Sequence, residues 1–295
     1  MKWEDNRESS NIEDRRNSSN YGSRGRGGNM MALLPIAKML LGTKIGRIIL
    51  VIGVIAYFFG FNPLALLDSS VSPSSTQSKV INKNEDDRSA RFVSAVLAQT
   101  EDIWSEVFKK HGATYQMPKL VLFRGSTRSG CGFASAQIGP FYCPADKKIY
   151  LDLSFFDELA KRHDAPGDFA QAYVIAHEVG HHVQNIVGTL DKVQKAKQNF
   201  RSEKKSNALQ VKVELQADCY SGLWAHYSKK NFNSLEEGDI QEALNAASAI
   251  GDDTLQKKAQ GYVVPDAFTH GSSAQRMKWF KKGFNQATLE ACNSF

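Results

Sequence analysis

The pattern of apolar and polar residues divides the chain into distinct parts. Residues 1–30 are polar and nearly free of aliphatic side chains. Such a segment buries too little apolar surface to offset its ordering entropy, so the sequence predicts disorder there. From Ile48 to Leu67 the chain carries no charge, and at about 1.5 Å per residue this run crosses a hydrocarbon core of about 30 Å. The serine-rich residues 68–86 predict a flexible linker, and a folded domain is expected over residues 87–295.

The uncharged run has two alternative interpretations. A cleaved signal peptide carries its apolar stretch close to the N-terminus, whereas residues 1–47 precede this run. A buried core helix seldom lacks charge over such a length and then meets a serine-rich tract. We therefore expect one transmembrane helix over residues 48–67, preceded by a disordered, basic segment at residues 1–47.

The charge distribution sets the expected topology. The net charge is +6, and residues 1–47 carry nine basic against five acidic side chains. Lys38, Lys44 and Arg47 precede the run and Asp68 follows it, so the positive-inside rule predicts a cytoplasmic N-terminus. The folded domain is then extracytoplasmic, which means periplasmic in a cell with two membranes. A nucleic-acid-binding protein concentrates basic residues on its folded domain, so we expect no nucleic-acid partner.

Along the folded domain, the spacing of apolar residues is first typical of a helix, then of strands, and then of helices again. Apolar residues at helical spacing predict an amphipathic helix over residues 88–110. Residues 120–123 and 148–153 have the length and apolar character of strands. From Gly167 onward the pattern is mostly helical. The expected fold is therefore α+β and mostly helical, with a small sheet from residues 115–153.

The four cysteines all follow the uncharged run, in agreement with an oxidising compartment. Four cysteines allow three pairings. We favour Cys131 with Cys143, which encloses a loop between strands, and Cys219 with Cys292, which ties the C-terminus to a helix. The alternative is four reduced, buried thiols. A zinc site of four cysteines is disfavoured because the short CxxC spacings are missing.

The segment from residue 177 to residue 181 is an HExxH motif. On a helix, positions i and i+4 share a face, so His177 and His181 can bind one zinc ion. Glu178 points to the neighbouring side and is the candidate general base for a water molecule whose pKa zinc lowers to about 7. His182 is rotated by about 100° from its neighbour and is not expected to bind the same metal.

A catalytic zinc site needs a third protein ligand. The metzincin pattern fails, because Gln184 and Val187 stand where glycine and histidine are required. A GTxxD pattern also fails, because Asp191 comes one residue early. Glu214 and Asp218 form an ExxxD pattern on a predicted second helix. The pattern predicts Glu214 as the zinc ligand and Asp218 as the hydrogen-bond acceptor for a ligand histidine. The alternative is a solvated acidic face.

One further segment, from Phe268 to Arg276, has candidate chemistry. His270 lies in a loop before a predicted helix, where it is placed to donate a hydrogen bond to the oxyanion of a tetrahedral intermediate. Arg276 is placed to order that loop or the nearby carboxylates. The alternative is a histidine at a helix start and an arginine that only packs.

The chain resembles the neutral zinc metallopeptidase family of bacteria, and the resemblance spans nearly all of it except the linker. The matching segments are MKWEDNRESSNIEDRR, SGCGFASAQIGPFYCP, YLDLSFF, GDFAQAYVIAHEVGHHVQ, VELQADCYSGLWAH, GDIQEALNAASAIGDD and FTHGSSAQRMKWF. The resemblance implies a membrane-anchored zincin with His177, His181 and Glu214 as ligands and Glu178 as base. THGSSAQR is also similar to the THPxxxxR element of membrane-linked HExxH peptidases, with Gly271 in place of proline.

The expected function is that of a zinc-dependent endopeptidase, with a peptide or protein as substrate. An outer strand of the small sheet is a candidate for pairing with an extended peptide. The main alternative is a catalytically silent zinc-binding interaction module of the cell envelope. A second alternative is an enzyme that hydrolyses a non-peptide amide, such as a component of the cell wall.

Overall fold

A computed structural model of the protein describes residues 1–17 and 82–295. In these two ranges, no helix has both the length and the apolar character that crossing a membrane requires. The predicted transmembrane helix at residues 48–67 and most of the predicted linker lie outside the described residues. The described part is a mostly helical α+β fold with a small sheet, as the sequence predicts.

Eight α-helices account for most of the described residues. They are α1 (Lys83–Lys110), α2 (Ser154–Arg162), α3 (Asp168–Ile186), α4 (Thr189–Gln198), α5 (Glu203–Phe232), α6 (Asp239–Ala249), α7 (Asp252–Gln260) and α8 (Ser273–Gln286). The strands are β1 (Ile12–Asp14), β2 (Lys119–Phe123), β3 (Ser126–Ser129), β4 (Gly132–Ser135), β5 (Phe141–Cys143) and β6 (Lys148–Asp152).

The main sheet has the order β1-β2-β6-β5. Strand β2 lies parallel to β1 and to β6, whereas β5 runs antiparallel to β6 and forms an outer edge. Strands β3 and β4 form a separate antiparallel hairpin. The sheet predicted from residues 115–153 is therefore present, but one of its outer strands comes from the N-terminal segment.

Helix α5 packs between α3 and α8, and two glycines allow the close approach. A Cβ atom on Gly180 of α3 would lie 3.1 Å from the Cα atom of Ala217. A Cβ atom on Gly222 would lie 2.1 Å from the carbonyl oxygen of Phe280 in α8. A larger side chain at either position would push the helices apart, because protein interiors are close-packed. The close packing of α3 on α5 holds the HExxH motif of α3 next to Glu214 and Asp218 of α5.

The prediction of disorder over residues 1–30 is wrong for residues 1–17. Trp3 is 5% exposed, and its ring packs edge-on against Phe92 of α1 with centroids 5.5 Å apart. Arg7 forms an ion pair with the buried Glu101, and Arg16 forms one with Asp86. The segment has few apolar residues, but the domain buries them and supplies partners for the charges. Composition alone does not reveal those partners.

The structure also corrects the predicted bounds of the linker and of the folded domain. Helix α1 begins at Lys83, so the last residues of the predicted linker at 68–86 are helical and the domain starts before residue 87. Residues 1–17 belong to the same folded unit as residues 83–295.

Candidate metal centre

Helix α3 carries the HExxH motif on its buried middle turns. His177 and Glu178 are 6% and 7% exposed, and the ring centroids of His177 and His181 lie 4.8 Å apart. Both imidazoles project from one face because the two residues are separated by about one helical turn. The structure thus brings the two histidines together as metal ligation requires.

Helix α5 adds the carboxylate. Glu214 Oε2 lies 3.2 Å from His177 Nε2 and 3.3 Å from His181 Nε2. One ligand atom from each of these three residues lies within 4.8 Å of the other two. Two imidazole nitrogens and one carboxylate oxygen that face one point form a donor set suited to zinc, with a fourth position left for a reactant.

The three ligands shift the pKa values of one another. Burial lowers the pKa of His181, but the charge and the hydrogen bond of Glu214 outweigh burial and raise it to about 9. Burial raises the pKa of Glu214, yet the charge of His181 and the hydrogen bonds from both histidines hold it well below its usual range. A metal cation takes the place of protons in such a cluster, because ligands bind metal in their deprotonated forms.

A buried network around Asp218 orients His177. Asp218 Oδ1 accepts hydrogen bonds from His177 Nδ1 at 2.8 Å and from the Tyr173 hydroxyl at 2.5 Å. Burial raises the pKa of Asp218, but the charges of Arg276 and His177 outweigh burial and lower it to about 2. The charged carboxylate keeps the Nδ1 proton in place, so Nε2 faces the metal position. Tyr173 belongs to no motif, and sequence analysis did not identify it as part of the site.

Glu178 lies beside the ligands and also lines the cleft. Burial is the main cause that raises the pKa of its carboxyl group, while the neighbouring histidines oppose the rise. Across residues 1–17 and 82–295, no hydrogen bond or ion pair engages its carboxylate. A buried carboxylate with an elevated pKa and no competing partner suits a general base.

His270 lies at the rim of the same cleft. Its side chain is 52% exposed, with Nδ1 3.3 Å from Asp252 Oδ1. Asp252 Oδ2 accepts hydrogen bonds from the backbone N–H groups of Thr269, His270 and Gly271. Gly271 has a φ of 94°, which proline does not adopt, and proline has no N–H to donate. The glycine in THGSSAQR is therefore required by this loop, and Asp252 is a residue that sequence analysis missed.

The cleft at the ligands has a volume of about 660 Å³. The segment that leads into β5 forms one wall, helix α4 forms another, and α7 and the His270 loop complete it. Its apolar lining includes Ile138, Pro140, Phe141, Pro144, Phe155, Val174, Leu190, Val193, Val213, Ile250 and Leu255. Lys197 and Gln210 stand on the polar side, near Glu214. A mostly apolar cleft with a few convergent polar groups is the usual form of a small-molecule or peptide site.

Both predicted disulfides are confirmed. Cys131 pairs with Cys143 at the end of β5, and Cys219 pairs with Cys292 near the C-terminus. Cys219 directly follows Asp218, so this second disulfide ties the C-terminal segment to α5 beside the metal ligands.

Two other residues of α3 have structural roles. His182 is 1% exposed, with Nδ1 3.1 Å from the Tyr142 hydroxyl and Nε2 2.5 Å from the carbonyl oxygen of Gln116, so it is a core residue. Asp168 begins α3, and its carboxylate pairs with the N-terminal ammonium of Met1 at 2.7 Å.

Two histidines of an HExxH helix and a glutamate of a second helix form a candidate metal site with the gluzincin ligand set. The chain belongs to the family described as "Putative neutral zinc metallopeptidase", whose model matches residues 1–295. Membership in this family implies Zn²⁺ as the metal.

Relatives with similar sequences occur in several bacteria. The "Uncharacterized protein YpfJ" of Escherichia coli (strain K12) is 48% identical over 295 residues, which span 100% of this chain and 99% of the relative. The "Uncharacterized protein Rv2575" of Mycobacterium tuberculosis (strain ATCC 25618 / H37Rv) is 40% identical over 215 residues, 70% of this chain and 71% of the relative. No solved structure matches the protein.

Proposed function

We propose that the protein is a zinc-dependent endopeptidase that hydrolyses peptide bonds in peptides or proteins. The observation that carries the proposal is the placement of Glu178. Its buried, unpartnered carboxylate lies beside three ligands that face one point, in an open cleft. A structural zinc site is usually closed by four protein ligands, whereas this cluster has three in the described part of the chain.

Each residue of the site has its own role in the proposed hydrolysis. Zinc, when held by His177, His181 and Glu214, supplies a Lewis acid and lowers the pKa of a water molecule in the cleft. Glu178 accepts a proton from that water as it attacks the scissile carbonyl, and later delivers it to the leaving nitrogen. His270 remains a candidate donor to the developing oxyanion, because it lines the cleft with a half-exposed side chain.

The edge of the sheet supports a peptide as substrate. Within the described residues, β5 pairs with β6 on one side and has no strand on the other. Phe141 and Tyr142 of β5 line the cleft together with the preceding Gly139 and Pro140. An extended peptide adds to such an edge through main-chain hydrogen bonds. The apolar lining of the cleft then favours apolar side chains next to the scissile bond.

We also propose that the domain works outside the cytoplasm and attaches to a membrane through the uncharged run at residues 48–67. The two disulfides support this compartment, because disulfides persist in oxidising environments. We propose that residues 1–17 lie in the same compartment, because they belong to the same fold. The uncharged run then attaches the chain without carrying residues 1–17 to the opposite side of the membrane, unlike the single transmembrane helix with a cytoplasmic N-terminus that the sequence predicts.

The proposal is tested on the purified full chain and its Glu178→Gln variant. The full chain is needed because residues 1–17 contribute a strand and buried side chains. We expect one zinc ion per chain in both proteins and hydrolysis of casein and peptide libraries by the unchanged protein alone. Zinc without hydrolysis in either protein would favour the silent binding module, and hydrolysis confined to non-peptide amides would favour the other alternative. Absence of zinc would overturn the proposal.

A further inference from the structure

A fully buried glutamine, Gln184, contacts the second histidine of the motif. Its Oε1 lies 2.8 Å from His181 Nδ1, and its side chain is fully shielded from solvent. It occupies the position three residues after His181 on α3, where side chains of one helix face meet. His177 is oriented by the carboxylate of Asp218, so the two ligand histidines have different partners.

The orientation of the Gln184 amide is fixed by its other end. Nε2 donates to the backbone carbonyl oxygen of Val213 at 2.7 Å. A carbonyl oxygen only accepts hydrogen bonds, so the nitrogen of the amide faces Val213 and the oxygen faces His181. The oxygen in turn only accepts, which keeps the proton on His181 Nδ1. Nε2 is then the ring nitrogen that is available to the metal.

A second buried amide supports the first. Gln184 Nε2 also donates to Gln216 Oε1 at 3.0 Å, and Gln216 Nε2 donates to the carbonyl oxygen of Cys292 at 3.0 Å. The backbone carbonyl again fixes which end of the amide is the nitrogen. The disulfide between Cys292 and Cys219 holds that carbonyl against α5. The two amides therefore form a directed chain from the C-terminal segment to a metal ligand.

We propose that Gln184 is a positioning residue of the metal centre, and that Gln216 and the Cys292 carbonyl hold it in place. The amide chain keeps His181 in the tautomer and ring orientation in which Nε2 faces the metal. This inference rests on the zinc site of the proposed function. A buried glutamine that only fills the core would make the same packing contacts without an effect on metal affinity beyond general stability.

Two substitutions of Gln184 separate positioning from packing. Gln184→Leu and Gln184→Glu both remove the donor to Val213, and both are expected to lower the melting temperature of the zinc-free protein. Only Gln184→Glu keeps an acceptor for His181 Nδ1. We expect the zinc dissociation constant to rise by about 10- to 100-fold in Gln184→Leu and to stay within about threefold of the unchanged value in Gln184→Glu.

The measurement is zinc affinity by chelator competition on the full chain, with the visible spectrum of bound Co²⁺ as a report on ligand geometry. Asn185→Ala is the matched control, because Asn185 is the next amide on α3 and donates to the Tyr142 hydroxyl at 2.8 Å. It is expected to lower stability with zinc affinity unchanged. Equal affinities for Gln184→Leu and the unchanged protein would overturn the proposal, as would equal losses in both Gln184 variants. Failure of the unchanged protein to bind zinc would instead reject the site itself.

Discussion

The guanidinium group of Arg276 donates two hydrogen bonds to the carboxylate of Asp218, from Nε to Oδ2 and from Nη2 to Oδ1, each at 2.9 Å. Both residues are almost fully buried. Paired hydrogen bonds between planar groups fix the orientation of both partners. Because Asp218 in turn binds His177 Nδ1, α8 sets the direction of a metal ligand that α3 carries.

Removing this guanidinium should destabilise the fold. Arg276→Ala leaves the Asp218 carboxylate buried without its main counter-charge, and breaking a buried pair in this way costs about 3–5 kcal/mol. Urea unfolding of the zinc-free chain measures the change. Arg162→Ala is the control, because Arg162 pairs with Glu158 on the surface of α2 and should change stability by less than about 1 kcal/mol. Equal effects of the two substitutions would contradict this role.

The candidate metal ligands could be identified from the sequence because their spacing has a direct physical meaning. HExxH and ExxxD each place two side chains on one helical face, so two short patterns are enough to select His177, His181, Glu214 and Asp218. The supporting contacts are not given by these two patterns. Gln184 of α3 contacts Val213 and Gln216 of α5, and Asp252 at the start of α7 contacts the loop before α8. Only the tertiary packing of these elements brings the contacts together.

The N-terminal segment shows a second limit of sequence interpretation. Its polar composition predicts disorder, because composition measures only what the segment itself can bury. In the structure, α1 supplies the partners: Phe92 packs on Trp3, Glu101 pairs with Arg7, and Asp86 pairs with Arg16. The helices and central strands of the domain were predictable from their own periodicity, which does not depend on a distant partner.

Trp3→Ala should therefore destabilise the domain. Replacing a large buried aromatic side chain with alanine costs about 3–5 kcal/mol, and Trp3 is 5% exposed. Urea unfolding of the full chain measures the loss. Phe133→Ala is the control because this ring is 64% exposed, and a surface substitution usually changes stability by no more than about 0.5 kcal/mol. An unchanged midpoint for Trp3→Ala would show that the segment does not pack on the domain.

Residues 1–17 and the domain should be accessible to a membrane-impermeant reagent from the same side of the membrane. All four cysteines are in disulfides, so a single introduced cysteine is the only free thiol. Glu8→Cys and Lys109→Cys place that thiol at exposed positions of the segment and of α1. A membrane-impermeant maleimide added to intact spheroplasts should label both variants or neither. Labelling of one variant alone, with the other labelled only after lysis, would restore the arrangement with the two parts on opposite sides.

Gly271→Pro should abolish hydrolysis even though it restores the proline of the THPxxxxR element. The substitution forces φ away from 94° and removes the N–H that donates to Asp252 at 2.9 Å, so the loop that carries His270 loses its position. Gly238→Ala is the control, because Gly238 has a φ of 97° and a Cβ atom there would meet nothing within 4 Å. It should lower stability by about 1–2 kcal/mol and leave hydrolysis intact. Full activity of Gly271→Pro would show that the position of this loop does not matter.

Asp252 should make the free energy of unfolding depend on pH in the acidic range. Burial raises the pKa of its carboxyl group, but hydrogen bonds from the His270 side chain and from the backbone of His270 and Gly271 outweigh burial and hold the pKa below its usual range. A carboxyl group whose pKa is lowered by folding stabilises the folded state above the unfolded pKa of about 4, and this contribution is lost as the pH falls through the folded value.

Asp252→Asn removes that titration. The stability difference between the unchanged protein and Asp252→Asn should be present at about pH 5 and should shrink as the pH falls below about 4. Urea unfolding of the zinc-free chain across this range measures the difference. Asp266→Asn serves as the control, since Asp266 pairs with Lys204 at an exposed site where ion pairs contribute little. A difference for Asp252→Asn that stays constant down to pH 3 would show that the hydrogen bonds of the loop do not depend on the charge of this carboxylate.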